Sequence, residues 1–398
     1  MIGTPFHQRT FALCESLNYR DWAGYYTVSC YETHHEHEYN AIRNAAALID
    51  ISPLCKYVVA GRDAARLLDR VITRDVLTMA VGRVFYTPWC DEDGFVIDDG
   101  TVSRLEESKF RLTAAEPTLR WLTQNARGFD VAVEDLSERT AALALQGPRA
   151  AAVLRACASA DVDRLEYFRV TSGTIAGAAV DISRTGYTGD LGYEVWVDAH
   201  AALRVWDALV AAGEAFDIKP AGMLALDVAR LEAGLLLADV DYVGSRKGLI
   251  SDQKYTPYEM GLGRLVDLRK PAFIGKARLA AERERGPRRQ IVGLEADWSE
   301  VEALYERYGL PPVAPAAASR AAVPVRCGDR QVGRATTTGW SPTLKKLIAL
   351  ATIDRPHFAL GTSVRMEVTI EGTRHFVRAT VVPTPFFSPP RRTAMPPG

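Results

Sequence analysis

The sequence lacks most of the features that would place it in a class early. Its six cysteines (Cys14, Cys30, Cys55, Cys90, Cys157 and Cys327) are scattered, with no C-x-x-C pair. That argues against a disulfide framework and a zinc knot, and leaves free, mostly buried thiols. No apolar run approaches the roughly 20 residues that cross a bilayer. The N-terminus, MIGTPFHQRTFALCESLNYRDW, lacks the basic start and unbroken apolar stretch of a secretory signal. A cytoplasmic enzyme with no membrane association is the expectation. An excess of either charge is missing too: 48 Lys and Arg face 49 Asp and Glu, so nothing draws the whole chain toward nucleic acid. There is no G-x-S-x-G, no G-x-G-x-x-G and no P-loop. The run His34, His35, Glu36, His37, Glu38 is compact but is not H-E-x-x-H. It reads as a solvated loop, and no metal site is expected.

What is present points to several domains, since 398 residues exceed one ordinary core. Residues 38–49 (EYNAIRNAAALI) place Ala41, Ile42, Ala45, Ala46 and Ile49 at helical spacing and predict an amphipathic helix. Residues 55–60 predict a strand and 63–72 a short helix opened by Asp63. A hairpin follows, with strands 84–90 and 95–104 about the turn Asp91-Glu92-Asp93-Gly94. Further strands are expected near 109–113 and 130–133, and helices near 118–125 and 148–156. A second hairpin spans 178–197, followed by helices at 201–212 and 220–233. A charged helix near 300–308 leads into the Pro/Ala-rich stretch 311–324, a linker or long loop. The strands after it predict a small all-β domain, and the tail SPPRRTAMPPG is expected to be poorly ordered.

Three carboxylates stand out. Asp98 and Asp99 lie inside the apolar strand FVIDDGTV, where aspartate is depleted. Alternation sends them to opposite faces, Asp98 with Val96, Gly100 and Val102, and Asp99 with Phe95, Ile97 and Thr101. A glycine within a strand marks close approach of a ligand or of another backbone. On that ground Asp98 is expected to face a ligand and Asp99 to make structural hydrogen bonds. The alternative is that both cap a bulge or turn. Glu194, between Tyr193 and Val195, is a third carboxylate in an apolar strand. It can accept two parallel hydrogen bonds from an amidine-like edge such as an aminopyrimidine, or else pair with an arginine of a neighbouring helix. Arg230 and Glu232, in ALDVARLEAG, fit a structural salt bridge near a helix end, or an arginine holding an anionic ligand tail.

In order along the chain, the blocks VIDDGTV, LALQGP, RTGYTGDLGYEVWV, ARLEAGL, YTPYEMGLG, AFIGKARL and SPTLKKLIALA resemble the T-protein family of folate-binding aminomethyltransferases. The resemblance spans roughly residues 22–353. It implies an α+β fold, a three-domain cloverleaf around a central folate cavity with a C-terminal β-barrel-like domain. The implied divisions are residues 1–285, 286–390 and a tail, 391–398. The first consists of two interleaved subdomains, roughly 1–50 with 138–170 and 200–285, and 51–137 with 171–199. Tetrahydrofolate is the implied cofactor. Asp98 matches the family's acidic residue beside the reactive N5 nitrogen. Glu194 matches the carboxylate at the pterin edge, Tyr86 a tyrosine of the cavity wall, and Arg230 the arginine of the helix motif. Asp99, Gly100 and Tyr187 fall in the same blocks and join the cofactor-binding candidates.

The chain departs from the family pattern at Ser52-Pro53-Leu54, at Ala115-Glu116, at Gly100 and in an enlarged stretch between Leu294 and Val323. Gly100 implies extra room beside Asp98. The leading expectation is therefore a tetrahydrofolate-dependent methyl or aminomethyl transferase acting on a small methylated donor, a demethylase-like activity. The alternative is a glycine-cleavage T-protein, with a lipoyl carrier protein as partner. A related folate-binding factor of iron–sulfur assembly would need K-G-C-x-x-G-Q-E, and RKPAFIGKARL has no such cysteine. A folate domain split from a flavin dehydrogenase would need a separate oxidase.

Overall fold

The computed structural model describes residues 1–396. Alternating strands build two facing sheets. The five-stranded sheet runs Val84–Cys90, Val96–Glu106, Lys109–Ala114, Cys55–Ala60, Ala132–Asp135. One of its faces buries Tyr57, Val59, Trp89, Val102, Phe110 and Leu112 against Leu67, Leu68, Trp121 and Leu122 of helices Ala64–Val71 and Leu119–Asn125. The six-stranded sheet runs Val170–Ile175, Ala178–Ser183, Gly192–Asp198, Thr140–Gln146, Ala46–Asp50, Ile218–Pro220. It packs Leu143, Leu145, Val180, Ile182, Val195 and Val197 against helices Ala150–Cys157 and Ala202–Gly213. Since strand side chains alternate, the remaining face of the five-stranded sheet carries Asp99, Thr101, Arg111 and Thr113, and that of the six-stranded sheet carries Asp181 and Glu194 among the apolar Ile49, Ala144 and Trp196. Those two faces are turned toward each other: Arg111 of one sheet bonds Asp181 of the other at 2.8 Å.

Six further strands close the C-terminal barrel, in the order Arg289–Ala296, Lys346–Asp354, Arg330–Ser341, Val323–Cys327, Ser363–Ile370, Thr373–Val382. Helix Met223–Glu232 is buried along all but one of its positions and packs against both the barrel and the N-terminal helix Glu36–Asn44. A small three-stranded sheet of residues 2–3, 18–22 and 25–30 covers the N-terminal side.

Four expectations need correction. The run His34–Glu38 is not a solvated loop: it opens helix Glu36–Asn44, with His35 and Glu38 buried and Glu38 accepting from the backbone N–H groups of Tyr31 and Gly222. The predicted helix 38–49 ends at Asn44, and Ala46–Asp50 is a strand between Thr140–Gln146 and Ile218–Pro220. Every residue of that strand is buried, and a short run buried on both faces carries no alternation to separate it from a helix. The strands of 171–199 do not pair with 51–137. They join Thr140–Gln146 in one ladder, with Ala144 opposite Glu194. The tail is tied down as far as it is described. Arg391 grips buried Asp190 with Nε at 2.6 Å and Nη2 at 2.8 Å, and Arg184 donates to the Ala394 carbonyl.

Candidate functional site

Strand Val96–Glu106 brings the aspartate pair to the site, and its register decides which residue faces where. Pro88 lies opposite Asp99, Tyr86 opposite Thr101, Thr87 opposite Gly100 and Trp89 opposite Asp98. Directly opposed residues project to the same side. Asp98 therefore points with Trp89 into the core beneath the sheet, and is 1% exposed. Asp99 lies with Tyr86 and Thr101 on the face turned toward the six-stranded sheet, and is half-buried. The expected orientations are thus exchanged.

The hydrogen bonds agree with this placement. Asp98 accepts from the backbone N–H groups of Asp99 at 2.8 Å and Glu116 at 2.9 Å, and from the Tyr242 hydroxyl at 3.2 Å. It is anchored to the chain on both oxygens. Asp99 accepts from the Tyr86 hydroxyl at 2.7 Å and from the Tyr242 hydroxyl. Burial pushes Asp98 well above the ordinary carboxylate range, and the neighbouring Asp99 charge adds to the rise. Burial also raises Asp99, while the two tyrosine hydroxyls partly offset it.

Gly100 does not make room for a ligand. A Cβ there would lie 1.9 Å from the Thr113 carbonyl oxygen and 3.2 Å from Cη2 of Trp89. The glycine admits another strand's backbone, the second of the two meanings of a strand glycine. Gly100→Ala is expected to destabilise the protein by about 1–3 kcal/mol through overpacking; an unchanged melting temperature would contradict this contact.

Glu194 is half-buried on the opposing sheet. Its Oε2 accepts from Thr185 Oγ1 at 2.7 Å and, more weakly, from Ser183 Oγ at 3.4 Å. No protein group among the described residues donates to Oε1. Burial raises Glu194, with Thr185, Arg111 and Ser183 acting in the other direction. Tyr187 lies in the loop before this strand. Its hydroxyl donates to the Leu236 carbonyl, and its ring packs half-buried in the same cluster as Tyr86, Leu54 and Leu236. A half-buried carboxylate with one open oxygen can accept a hydrogen bond from an amidine-like edge.

Arg230 is fully buried, with Nη1 2.6 Å from Asp241 and Nη2 2.9 Å from Thr337. Two of its nitrogens are thus held in a structural ion pair and hydrogen bond, while Nε has no hydrogen-bond partner and the charge acts on Tyr187. Glu232 is likewise engaged, by Arg43 and Tyr39. Tyr242 escaped the sequence reading: it lies in an irregular stretch with no periodicity, yet bonds both aspartates. Among the described residues no group of three His, Cys, Asp or Glu is arranged to hold a metal ion, and no helix is long and apolar enough to cross a membrane.

Residues 6–270 match the GCVT N-terminal domain, and residues 289–388 match the glycine cleavage T-protein C-terminal barrel domain. The chain is similar to the aminomethyltransferase of Moorella thermoacetica, 37% identical over 359 residues and covering 89% of this chain and 90% of the relative. It is 35% identical over 391 residues to that of Streptomyces avermitilis, covering 96% and 98%. The crystal structure of glycine cleavage system aminomethyltransferase T from Bartonella henselae shares the fold, with a TM-score of 0.82 over 97% of this chain and 98% of that one at 24% identity. Two domains of one family are matched in order over nearly the whole length, the second of them on the closed barrel, and the chain belongs to the glycine cleavage T-protein family.

Proposed function

We propose that this protein transfers an aminomethyl-derived carbon to tetrahydrofolate from the lipoyl arm of a carrier protein. Family membership makes it a one-carbon transferase that works with tetrahydrofolate; the donor is the proposed part. One ground for the demethylase-like reading was room at Gly100, and the Thr113 carbonyl occupies that space. The relatives that cover most of the chain carry the name aminomethyltransferase, which favours the alternative donor.

The observation that carries the reading is the pair of half-buried carboxylates on facing sheets, Asp99 and Glu194. When bound, tetrahydrofolate supplies the nitrogen that receives the carbon. Glu194 would hold the pterin edge through Oε1, and Tyr86 and Tyr187 would line the ring. Asp99 would accept the nitrogen's proton or stabilise positive charge developing there. The Tyr86 and Tyr242 hydroxyls fix its carboxylate in place, which is the orientation a transfer step needs. Asp98 braces the strand beneath it.

The deciding assay supplies tetrahydrofolate and an aminomethyl-loaded lipoyl carrier and follows ammonia release. Release dependent on both confirms the donor. No release, with demethylation of an N-, O- or S-methyl compound instead, replaces it. Glu194→Ala is expected to weaken tetrahydrofolate binding by about one to two orders of magnitude, on the order of 1.5–3 kcal/mol for hydrogen bonds to a charged group. An unaltered titration removes Glu194 from the pterin site.

A further inference from the structure

Arg111 is an arginine that the fold keeps at a cost and that the transfer chemistry above does not use. It extends from strand Lys109–Ala114 across to the six-stranded sheet, and its side chain is 7% exposed. Nη1 donates to Asp181 at 2.8 Å. Nε and Nη2 are buried without a hydrogen-bond partner. Those two nitrogens form the side-on fork of a guanidinium. The same fork is filled by a carboxylate in Arg43, on Glu232, and in Arg391, on Asp190. A buried cation with an empty fork is a poor structural device, because its donors lose water and gain nothing. What it does face is Trp196, whose ring centroid lies 4.5 Å from the guanidinium carbon. The Trp196 indole N–H donates to Ser183 Oγ at 3.2 Å, and Ser183 Oγ approaches Glu194 Oε2 at 3.4 Å.

We infer that Arg111 is a positioning residue of the tetrahydrofolate site: it supplies the counter-charge for Glu194 and, through Trp196 and Ser183, sets the orientation of that carboxylate. The inference rests on the reading that Glu194 holds the pterin edge. The groups around Glu194 leave few other candidates for the charge. The strand Ala178–Ser183 contributes Ser183 and, already bonded to Arg111, Asp181. The loop before Glu194 contributes Thr185, and strand Thr140–Gln146 places Ala144 opposite. The Arg111 charge opposes the effect of burial on Glu194. Arg111 and Glu194 make no direct ion pair among the described residues, so the effect is one of field and alignment rather than contact.

The test is a titration of the full chain with tetrahydrofolate, from neutral to acid pH, in wild type, Arg111→Lys, Arg111→Met and Glu194→Gln. Binding through an ionised Glu194 fails as pH falls through its pKa. Removing the cation raises that pKa, so Arg111→Met is expected to lose binding at a pH about one unit higher. At a pH between the two limbs its Kd is expected to be about tenfold weaker. Arg111→Lys keeps the charge and is expected to track wild type. If Arg111→Met does not fold, Arg111→Gln carries the same comparison against Arg111→Lys. An acid limb that does not move when the cation is removed, or a loss of affinity equal at every pH, overturns the role of Arg111. Glu194→Gln separates the two readings. If it retains wild-type affinity and the same acid limb, the pterin contact itself is wrong. If it abolishes the limb while Arg111→Met leaves it in place, only the inference about Arg111 falls.

Discussion

Asp99→Asn is expected to lower turnover by about two to three orders of magnitude while leaving tetrahydrofolate binding close to wild type. The amide is nearly isosteric, so the strand and its neighbours keep their places. What it loses is the ability to take a proton or to offset positive charge, contributions worth about 10²–10⁴ in rate. Asp98→Asn should behave differently. Both Asp98 oxygens accept from N–H or O–H donors, two of them backbone N–H groups. An amide nitrogen in either place would set donor against donor, at about 1–3 kcal/mol. Asp98→Asn is therefore expected to lower stability and to reduce turnover less than Asp99→Asn does. The pH dependence has a definite sign. Burial raises both carboxyls, so the folded protein holds protons that the unfolded chain has released. Their contribution to stability is fully present below the ordinary aspartate pKa and is lost as pH rises toward the raised values. Turnover runs the other way, gained as Asp99 ionises, with an acid limb above the ordinary aspartate range. Urea unfolding and pH–rate profiles of both variants check this. A larger turnover loss in Asp98→Asn at unchanged stability would return the reactive role to Asp98.

The exchange of the two aspartates shows what a strand pattern can and cannot convey. The hairpin, its turn and the presence of two carboxylates in an apolar strand are all legible, because alternation has period two and Asp91-Glu92-Asp93-Gly94 is unambiguous turn chemistry. Parity separates Asp98 from Asp99 but does not say which face is the core. That is settled by Trp89, Phe110 and Leu112 packing against helices Ala64–Val71 and Leu119–Asn125, contacts between segments far apart in sequence. Gly100 posed the same ambiguity in miniature, since a ligand and a neighbouring carbonyl impose the same demand for a missing Cβ. Ala46–Asp50 shows the complementary failure. The sheet centre buries both faces, which erases the alternation and leaves alanines and isoleucines at spacings that mimic a helix. Tyr242 and Arg111 carried no local signal at all. One gains its role from an irregular segment folded over the aspartates, the other from a sheet-to-sheet contact with Asp181, 70 positions away. The blocks of family likeness point to Arg230 as much as to Glu194, and only packing shows that Asp241 and Thr337 take up two of its nitrogens.

Glu232→Ala is expected to be among the most destabilising single changes in the chain, by about 3–5 kcal/mol. Glu232 is fully buried at the end of helix Met223–Glu232. Its Oε2 receives Nε and Nη2 of Arg43 at 2.9 and 2.6 Å, and its Oε1 receives the Tyr39 and Ser341 hydroxyls at 2.6 and 2.5 Å. Arg43 also donates to the carbonyls of Thr188 and Ala229 and reaches Asp190 at 3.3 Å, and Asp190 is in turn held by Arg391 of the tail. One carboxylate thus joins the N-terminal helix, the barrel and the loop that leads to Glu194. Removing it leaves the buried Arg43 with Asp190, at 3.3 Å, as its remaining carboxylate partner, and takes away the acceptor of the Tyr39 and Ser341 hydroxyls. Much of the cost is the uncompensated charge rather than the lost bonds, and this has a testable consequence. The double variant Arg43→Met/Glu232→Ala is expected to be more stable than Glu232→Ala alone, because no unpaired guanidinium remains. Denaturant unfolding of the two variants gives the comparison directly. A double variant less stable than Glu232→Ala by the full cost of Arg43→Met would mean that the two residues act independently and that the loop before Glu194 is held by other contacts. Under the coupled outcome, Glu232→Ala should also weaken tetrahydrofolate binding, since the Thr188–Asp190 turn that Arg43 holds is only four residues from Glu194.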